Sequence, residues 1–431
     1  MSAKDLKTTP LHDWHLARGA NMGQFAGYDM PLWYPSGARS EHLAVLTCAG
    51  VFDTSHMAVL TVAGPDARSL LQRCLTKDLD RCLKAGAALA GGRSVYGAFL
   101  DRRGHVIDDA IVFQKGEDAF LVVVNAGMGA AIAAHLEQHA AGGRVSIGDL
   151  SDRIGKMDLQ GPRAARILGR ILEDAQSVLA DLVYFAFKGA WRGEQPVVRP
   201  VRLTNGIPLL LSRTGYTGEF GFEMFMSPED LQPVWDMLLE AGQPDGLLAC
   251  GLAARDSLRA GAVLPLSHQD IGSWPYRYHP WEFALPFDER RTGFSKSFVG
   301  DRALLEIESP RYTRPFAGLD LRKVTGGGHS SVVDSEGRTI GTVLTCVTDS
   351  GIDRVGERIF SVSSPDKPAG FRPRGLCCGF VRVSSPLAAG QTILLQDKRR
   401  SIRVMIGDDI RPDRTARRSV RAMLDAKEES A

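Results

Sequence analysis

Long apolar runs are missing from this chain. None approaches the length of a membrane span, and the opening stretch, MSAKDLKTTPLHDW, has no apolar core of the kind a signal peptide carries. Cysteine is scarce and unpatterned. Cys48, Cys74, Cys82, Cys250, Cys346, Cys377 and Cys378 form an odd set without a Cys-x-x-Cys pair, which argues against a zinc ribbon or a disulfide framework. A cytoplasmic protein with reduced thiols is expected. Net charge is small, formally +2, which argues against a dedicated nucleic-acid binder. No internal repeat or low-complexity segment occurs. What is present is 431 residues, 44% apolar and 24% charged, enough for two or three domains with substantial cores.

Against that ordinary background, residues 96–113 break a local rule. Apolar residues run through 96–100 and again through 106–113, with Asp101-Arg102-Arg103-Gly104 between them as turn chemistry, so two paired strands are predicted. The second strand carries adjacent carboxylates, Asp108 and Asp109, where strands favour apolar side chains. Alternation sends them to opposite faces, Asp109 with Ile107, Ile111 and Phe113, and Asp108 with Val106, Ala110 and Val112. At least one therefore meets water or something that needs a carboxylate. A buried one requires hydrogen bonds or a ligand to offset its desolvation.

Along the chain, residues 40–48 read as helical and 51–57 as a strand and turn holding His56, a catalytic candidate or a hydrogen-bonded structural histidine. Residues 58–64 form a strand, and Pro65 stands at the first position of a helix. A third strand, AFLVVVNA, completes a meander, and a helix follows from residue 127. Gly127 and Gly129 open that helix, but Ile132 occupies the third place of a dinucleotide fingerprint, so no nucleotide site is expected. His135 and His139 share its face at metal-ligand spacing without a third ligand in view, so no metal is expected either.

In SRTGYTGEFGFEMF, glycines permit a tight backbone path. Phe220, Phe222 and Met224 then alternate with Glu219, Gly221 and Glu223, and two acids on one face suggest a binding rim or a solvent face. Ser227-Pro228-Glu229-Asp230 resembles a capping box ahead of an amphipathic helix. Arg255 and Arg259 lie one helical turn apart and suit a carboxylate or phosphate, with Asp256 available for a structural ion pair instead. Residues 264–291 form a long loop rich in Pro, Trp, Tyr and His. Short strands follow from about residue 310. Residues 398–421 hold nine basic and three acidic residues, a pattern that suits a solvated surface or an acidic partner.

Taken together these stretches resemble the aminomethyltransferase (T-protein) family of tetrahydrofolate-dependent transferases. The resemblance runs from residue 9 to about residue 400. It rests on TPLHDWHLARGANMGQFAGYDMPLWY, AGVFDTSHM, GHVIDDAIVF, VNA, QGP, RTGYTGEFGFE, GLAARDSLR and FVGDRALL, in the family's order. It implies an α+β fold, a three-domain cloverleaf. Two interleaved N-terminal α/β domains would fill 1–310, and a C-terminal β-barrel or jelly-roll domain with a basic tail would fill 311–431.

By resemblance, Asp108 is the catalytic carboxylate and Glu219 holds the pterin. Arg255 meets the polar end of the folate, and Tyr96, Tyr216 and Asn125 line the site. The implied cofactor is tetrahydrofolate, and the implied activity moves an aminomethyl carbon from a lipoyl-bound intermediate on a lipoylated carrier protein. Two departures from the family pattern keep other readings open. The segment RAGAVLPLSHQDIGSWPYRYHPWEF replaces a run that lies near the one-carbon donor, and RPDRTARRSVRAML replaces an apolar C-terminal segment. Trp274, Tyr276, Tyr278 and Trp281 would suit a small O-, S- or N-methyl donor, making the chain a folate-dependent demethylase. A folate-binding factor without enzymatic activity is the third reading.

Overall fold

The predicted hairpin forms. Arg93–Leu100 and Val106–Gly116 pair antiparallel, and Asp101 shapes the turn by accepting from the backbone N–H of Arg103 (2.8 Å) and His105 (3.0 Å). Gly104 supplies the positive φ, +76°, that this turn requires. The computed structural model describes residues 6–425. In it the hairpin is one end of a five-stranded antiparallel sheet ordered Arg93–Leu100, Val106–Gly116, Ala119–Val124, Ala58–Ala63, Ser146–Asp149. The helices Ala67–Cys74 and Gly129–His139 cover one face. Their Leu71, Ile132 and Leu136 pack on Leu60, Phe99, Val112 and Val122. Pro65 precedes the first helix rather than starting it, because Asp66 takes the cap position.

A second sheet has six strands, ordered Phe187–Gly189, Leu210–Ser212, Gly221–Met226, Gly155–Gln160, Ala49–Asp53, Leu247–Ala249. Ala49–Asp53 and Gly155–Gln160 are antiparallel neighbours there, and the whole five-stranded unit is inserted between them in sequence. This is the interleaving that the family resemblance implies. Alternation divides the strand faces. Met157, Leu159, Phe222 and Met224 pack beneath the helices Ala164–Ile171 and Pro228–Gly242, which supply Ile167, Leu168, Leu231 and Trp235. Lys156, Asp158 and Glu223 take the opposite face. Ser227 caps the helix Pro228–Gly242 by position, but its hydroxyl makes no capping bond.

The two sheets meet through Val59, Phe113, Leu121 and Val123 of the first and Phe187, Leu210 and Phe225 of the second. Phe113 stands edge-on to Phe187 (5.2 Å) and Phe225 (5.7 Å), geometry worth about 0.5–1.5 kcal/mol per pair beyond the area buried.

After the short helix Asp301–Leu305, six strands close into a barrel ordered Tyr312–Gly318, Leu376–Val383, Thr339–Asp349, Ser331–Val333, Thr392–Gln396, Ser401–Ile406. Closure leaves no unpaired strand edge in this unit. The chain then leaves the barrel. Val420 and Met423 of the helix Val420–Asp425 join the core around Ala164–Ile171, so the end of the basic run packs on the N-terminal region and not on the barrel. The reason is apolar burial: Arg417, Arg418 and Arg421 face out while Val420 and Met423 are covered. Among the described residues no helix is long and apolar enough to cross a membrane.

Candidate functional site

A cavity of about 990 Å³ opens where the two sheets, the helix Leu252–Gly261 and the stretch after the barrel meet. The first sheet contributes Tyr96, Asp109 and Ile111, which share a face because Ala98 pairs with Asp109 and Tyr96 with Ile111. Tyr96 Oη donates to Asp109 Oδ2 at 2.8 Å, and Asn125 Nδ2 donates to Asp109 Oδ1 at 2.7 Å. Burial, and then the neighbouring Asp108 charge, push the Asp109 carboxyl up to about 7. Burial, and then the Asp109 charge, raise the Tyr96 phenol, so it remains a donor.

The second sheet supplies a charged chain. Lys156 Nζ donates to Glu223 (2.8 Å) and Asp158 (2.6 Å), and Arg255 Nη1 donates to the other oxygen of Asp158 (2.7 Å). Burial would raise the Asp158 carboxyl, but Lys156 and Arg255 outweigh it and hold the group at about 2. Arg255 also lies over the rings of Tyr216 (5.1 Å) and Phe52 (5.8 Å). Tyr216 is fixed by donating to the carbonyl of Pro265. Gly218 makes the turn beside it at φ +78°, where a Cβ would lie 2.5 Å from Ala262 Cβ.

The third wall comes from far along the chain. Arg411, fully buried, donates to Glu219 Oε1 (3.2 Å), to Asp349 Oδ2 (2.5 Å) and to the carbonyl of Thr217. Thr415 Oγ1 donates to Glu219 Oε2 at 2.6 Å. Glu219 thus lines the cavity with both oxygens already engaged. The long loop closes the fourth side with Leu264, Pro265, Leu266, Trp281 and the exposed Phe283, whose ring lies 5.8 Å from Tyr96.

Five of the six predicted residues, Tyr96, Asn125, Tyr216, Glu219 and Arg255, line this cavity. Asp108 does not. It points to the other face of the sheet, is fully buried, and accepts from Asn125 N (2.9 Å), Asn125 Nδ2 (2.8 Å) and Ser267 Oγ (2.6 Å), with His268 Nε2 at 3.8 Å. Burial raises its carboxyl, opposed by the Ser267 and Asn125 bonds. The carboxylate that faces the cavity is its neighbour Asp109. Arg259 also reaches the cavity lining, but it is buried and its charge is already matched by Asp256 (2.7 Å) and Asp270. His56 lines the cavity, and burial pushes its ring down to about 4, so it is neutral at physiological pH.

Residues 11–287 match the family model described as the GCVT N-terminal domain. The chain is 40% identical over 360 residues to an aminomethyltransferase of Moorella thermoacetica, spanning 79% of this chain and 90% of that protein. It is 34% identical over 340 residues to an aminomethyltransferase of Bacillus subtilis, spanning 79% and 86%. The chain belongs to the aminomethyltransferase (T-protein) family. A crystal structure of glycine cleavage system aminomethyltransferase T from Bartonella henselae matches 96% of the chain and is itself 99% covered, with a TM-score of 0.72 at 28% identity.

The aromatic residues of the departing loop divide between the cavity and the packing of the surrounding units. Of the four aromatic residues named for the methyl-donor reading, Trp281 lines the cavity and ties its indole N–H to the Val263 carbonyl (2.8 Å). Tyr276 is buried in the core, Trp274 stacks with Arg382 (4.7 Å), and Tyr278 packs on Tyr312 (5.2 Å), the last two on barrel residues. Lys156 is a cavity residue that the motif reading did not single out. Its signal was present in the alternation of Lys156, Asp158 and Gln160 with Met157 and Leu159. Arg411 and Thr415 had no comparable local signal.

Proposed function

We propose that this chain is a tetrahydrofolate-dependent aminomethyltransferase. It would transfer the aminomethyl carbon of a lipoyl-bound donor, presented by a lipoylated carrier protein, to tetrahydrofolate with release of ammonia. The observation that carries this reading is the placement of Asp109, a carboxylate held by Tyr96 and Asn125 on the cavity wall beside Ile111, Trp281 and Phe283.

The residues suit a reduced folate. Glu223 has lone pairs beyond those taken by Lys156 and Thr214, so it accepts the adjacent amino and ring N–H groups of a pterin. Arg255, with Arg414 and Arg417 at the rim, suits the carboxylates at the other end of the molecule. Tetrahydrofolate supplies the nitrogen that accepts the one-carbon unit. Asp109 holds negative charge where positive charge develops on the carbon as the amine departs, and the Tyr96 and Asn125 bonds keep it there without reorganisation. Its raised proton affinity lets it give a proton to the departing amine or take one from the accepting nitrogen near neutral pH. Trp281, Phe283 and Leu264 cover the reacting centre from water.

The deciding experiment is calorimetric binding of tetrahydrofolate to the wild type and to Glu223→Ala, followed by turnover with an aminomethyl-loaded lipoyl carrier. Tight binding that Glu223→Ala weakens, together with methylene-tetrahydrofolate and ammonia as products, supports the proposal. A wild type that binds no reduced folate overturns it. Methyl-tetrahydrofolate formed from a free methylated compound, without the carrier, would favour the demethylase reading instead.

A further inference from the structure

On the far side of the five-stranded sheet from the cavity, three donor groups converge that the transfer reaction does not use. Cys74 is the last residue of the helix Ala67–Cys74, and His135 and His139 lie one turn apart on the helix Gly129–His139. Their potential ligand atoms all lie within 4.8 Å of one another. The sequence showed the two histidines but not the cysteine, which arrives from a different helix.

Two further observations point to a ligand. His135 is only 8% exposed, and its Nε2 is a buried polar atom with no hydrogen-bond partner, an arrangement that proteins avoid unless something completes it. His139 Nδ1 lies 2.8 Å from the carbonyl of His135. A carbonyl only accepts, so Nδ1 carries the proton and the lone pair is fixed on Nε2, the orienting arrangement seen in metal-binding histidines. The helix ends are also braced: Arg73 Nη1 donates to the His139 carbonyl (3.2 Å), and Lys296 Nζ donates to the carbonyls of Gln72 (2.5 Å) and Leu75 (2.6 Å).

From this geometry we infer that Cys74, His135 and His139 form a binding site for a divalent ion of the zinc class, which would clamp the C-terminal ends of the two helices together. One thiolate and two imidazoles are the donor mixture such an ion prefers over magnesium or calcium. A tetrahedral zinc places donors of these kinds about 3.5 Å apart, which side-chain rotation achieves from the observed spacing. Binding forms one metal–sulfur and two metal–nitrogen bonds and releases the Cys74 thiol proton to solvent. The fourth position is left to water. His139 is only part-buried, so it offers the route of entry. The site stands independently of the folate reading.

The test uses full-length protein stripped with a chelator and titrated with Co²⁺ under reducing conditions. Expected are one Co²⁺ per chain and a thiolate-to-cobalt charge-transfer band, competed away by one equivalent of Zn²⁺. The band should be lost in Cys74→Ser, and affinity should fall about tenfold or more in His139→Gln, at least the penalty typical of losing an outer partner. Failure of the wild type to bind stoichiometrically overturns the inference, as does a band that survives in Cys74→Ser. Should Cys74→Ser not fold, His139→Gln decides the matter, since unchanged affinity there overturns it.

Discussion

Asn125 Nδ2 reaches Asp109 Oδ1 at 2.7 Å while also reaching Asp108 Oδ1 at 2.8 Å, so one amide group bridges two carboxylates on opposite faces of a strand. The two acids are neighbours in sequence with separate surroundings, one facing the cavity and one sealed beneath it. Asp109→Asn is therefore expected to lower the rate of aminomethyl transfer by about 10²–10⁴-fold with tetrahydrofolate binding largely kept. Asp108→Asn should lower thermal stability instead, by about 1–3 kcal/mol, because Ser267 and Asn125 lose part of a charged acceptor. Single-turnover rates and thermal melts on both variants check this. Equal rate losses in the two would remove the distinction.

The raised Asp109 carboxyl has a signed consequence for pH. Its ordinary value is 3.8 and its folded value about 7, so between these the folded state holds a proton that the unfolded chain has released. Stability linked to this group is therefore present at low pH and is lost as pH rises toward about 7, and Asp109→Asn should flatten that slope. Activity moves the other way where the ionised form is required, with kcat/KM rising through the same range. The Asp108 charge contributes to the raised Asp109 carboxyl, so the midpoint of this limb belongs to the two acids together and not to Asp109 alone. The Tyr96 bond lowers the Asp109 carboxyl, so Tyr96→Phe should move the limb to higher pH. A pH–rate profile of kcat/KM reads this directly.

Arg411 compensates two buried carboxylates, Glu219 and Asp349. Arg411→Met should destabilise the protein by about 3–5 kcal/mol, since it leaves uncompensated charge in the interior. Chemical denaturation measures the loss. Adding Glu219→Gln to Arg411→Met should recover part of it, and a double variant no more stable than Arg411→Met would show that Glu219 is not the group left in deficit.

Asp158 carries the opposite pH sign from Asp109. Lys156 and Arg255 hold it at about 2, against an ordinary 3.8. Its contribution is complete above pH 3.8 and disappears as pH falls toward about 2. Asp158→Asn should thus destabilise the protein at neutral pH and change little at the acid end, which denaturant melts at the two pH values would reveal.

Much of this was legible in the chain. The hairpin, its turn and the opposite orientation of Asp108 and Asp109 follow from alternation and from Asp101 and Gly104. Glu219 and Glu223, which alternation put on one face, both line the cavity, and the ordered motifs led to the family. What alternation alone left open is which of Asp108 and Asp109 meets the cavity, and which buried partners the acids take. Asp108 is claimed by Ser267, 159 residues away, and Glu219 by Arg411, 192 residues away. Those partners are set by how the units pack, and no local spacing encodes them. The same limit explains Cys74, which joins the histidine pair only because two helices end side by side. It also explains the loop aromatics, whose composition suggested a pocket while packing turned Tyr276 into the core.

The contact between Glu219 and the stretch after the barrel also sets an order of events during synthesis. Arg411 and Thr415 follow Glu219 by 192 and 196 residues. At about 5–20 residues per second, a growing chain waits roughly ten to forty seconds between making the acid and making its partners. For most of that interval, once Leu247–Ala249 is made, both sheets have been synthesised, yet one wall of the cavity is absent and Glu219 lacks its Arg411 and Thr415 partners. A nascent chain still tethered short of residue 415 thus lacks the residues that complete the cavity, and under the proposed function competence for the ligand would arrive late, as a single closing step.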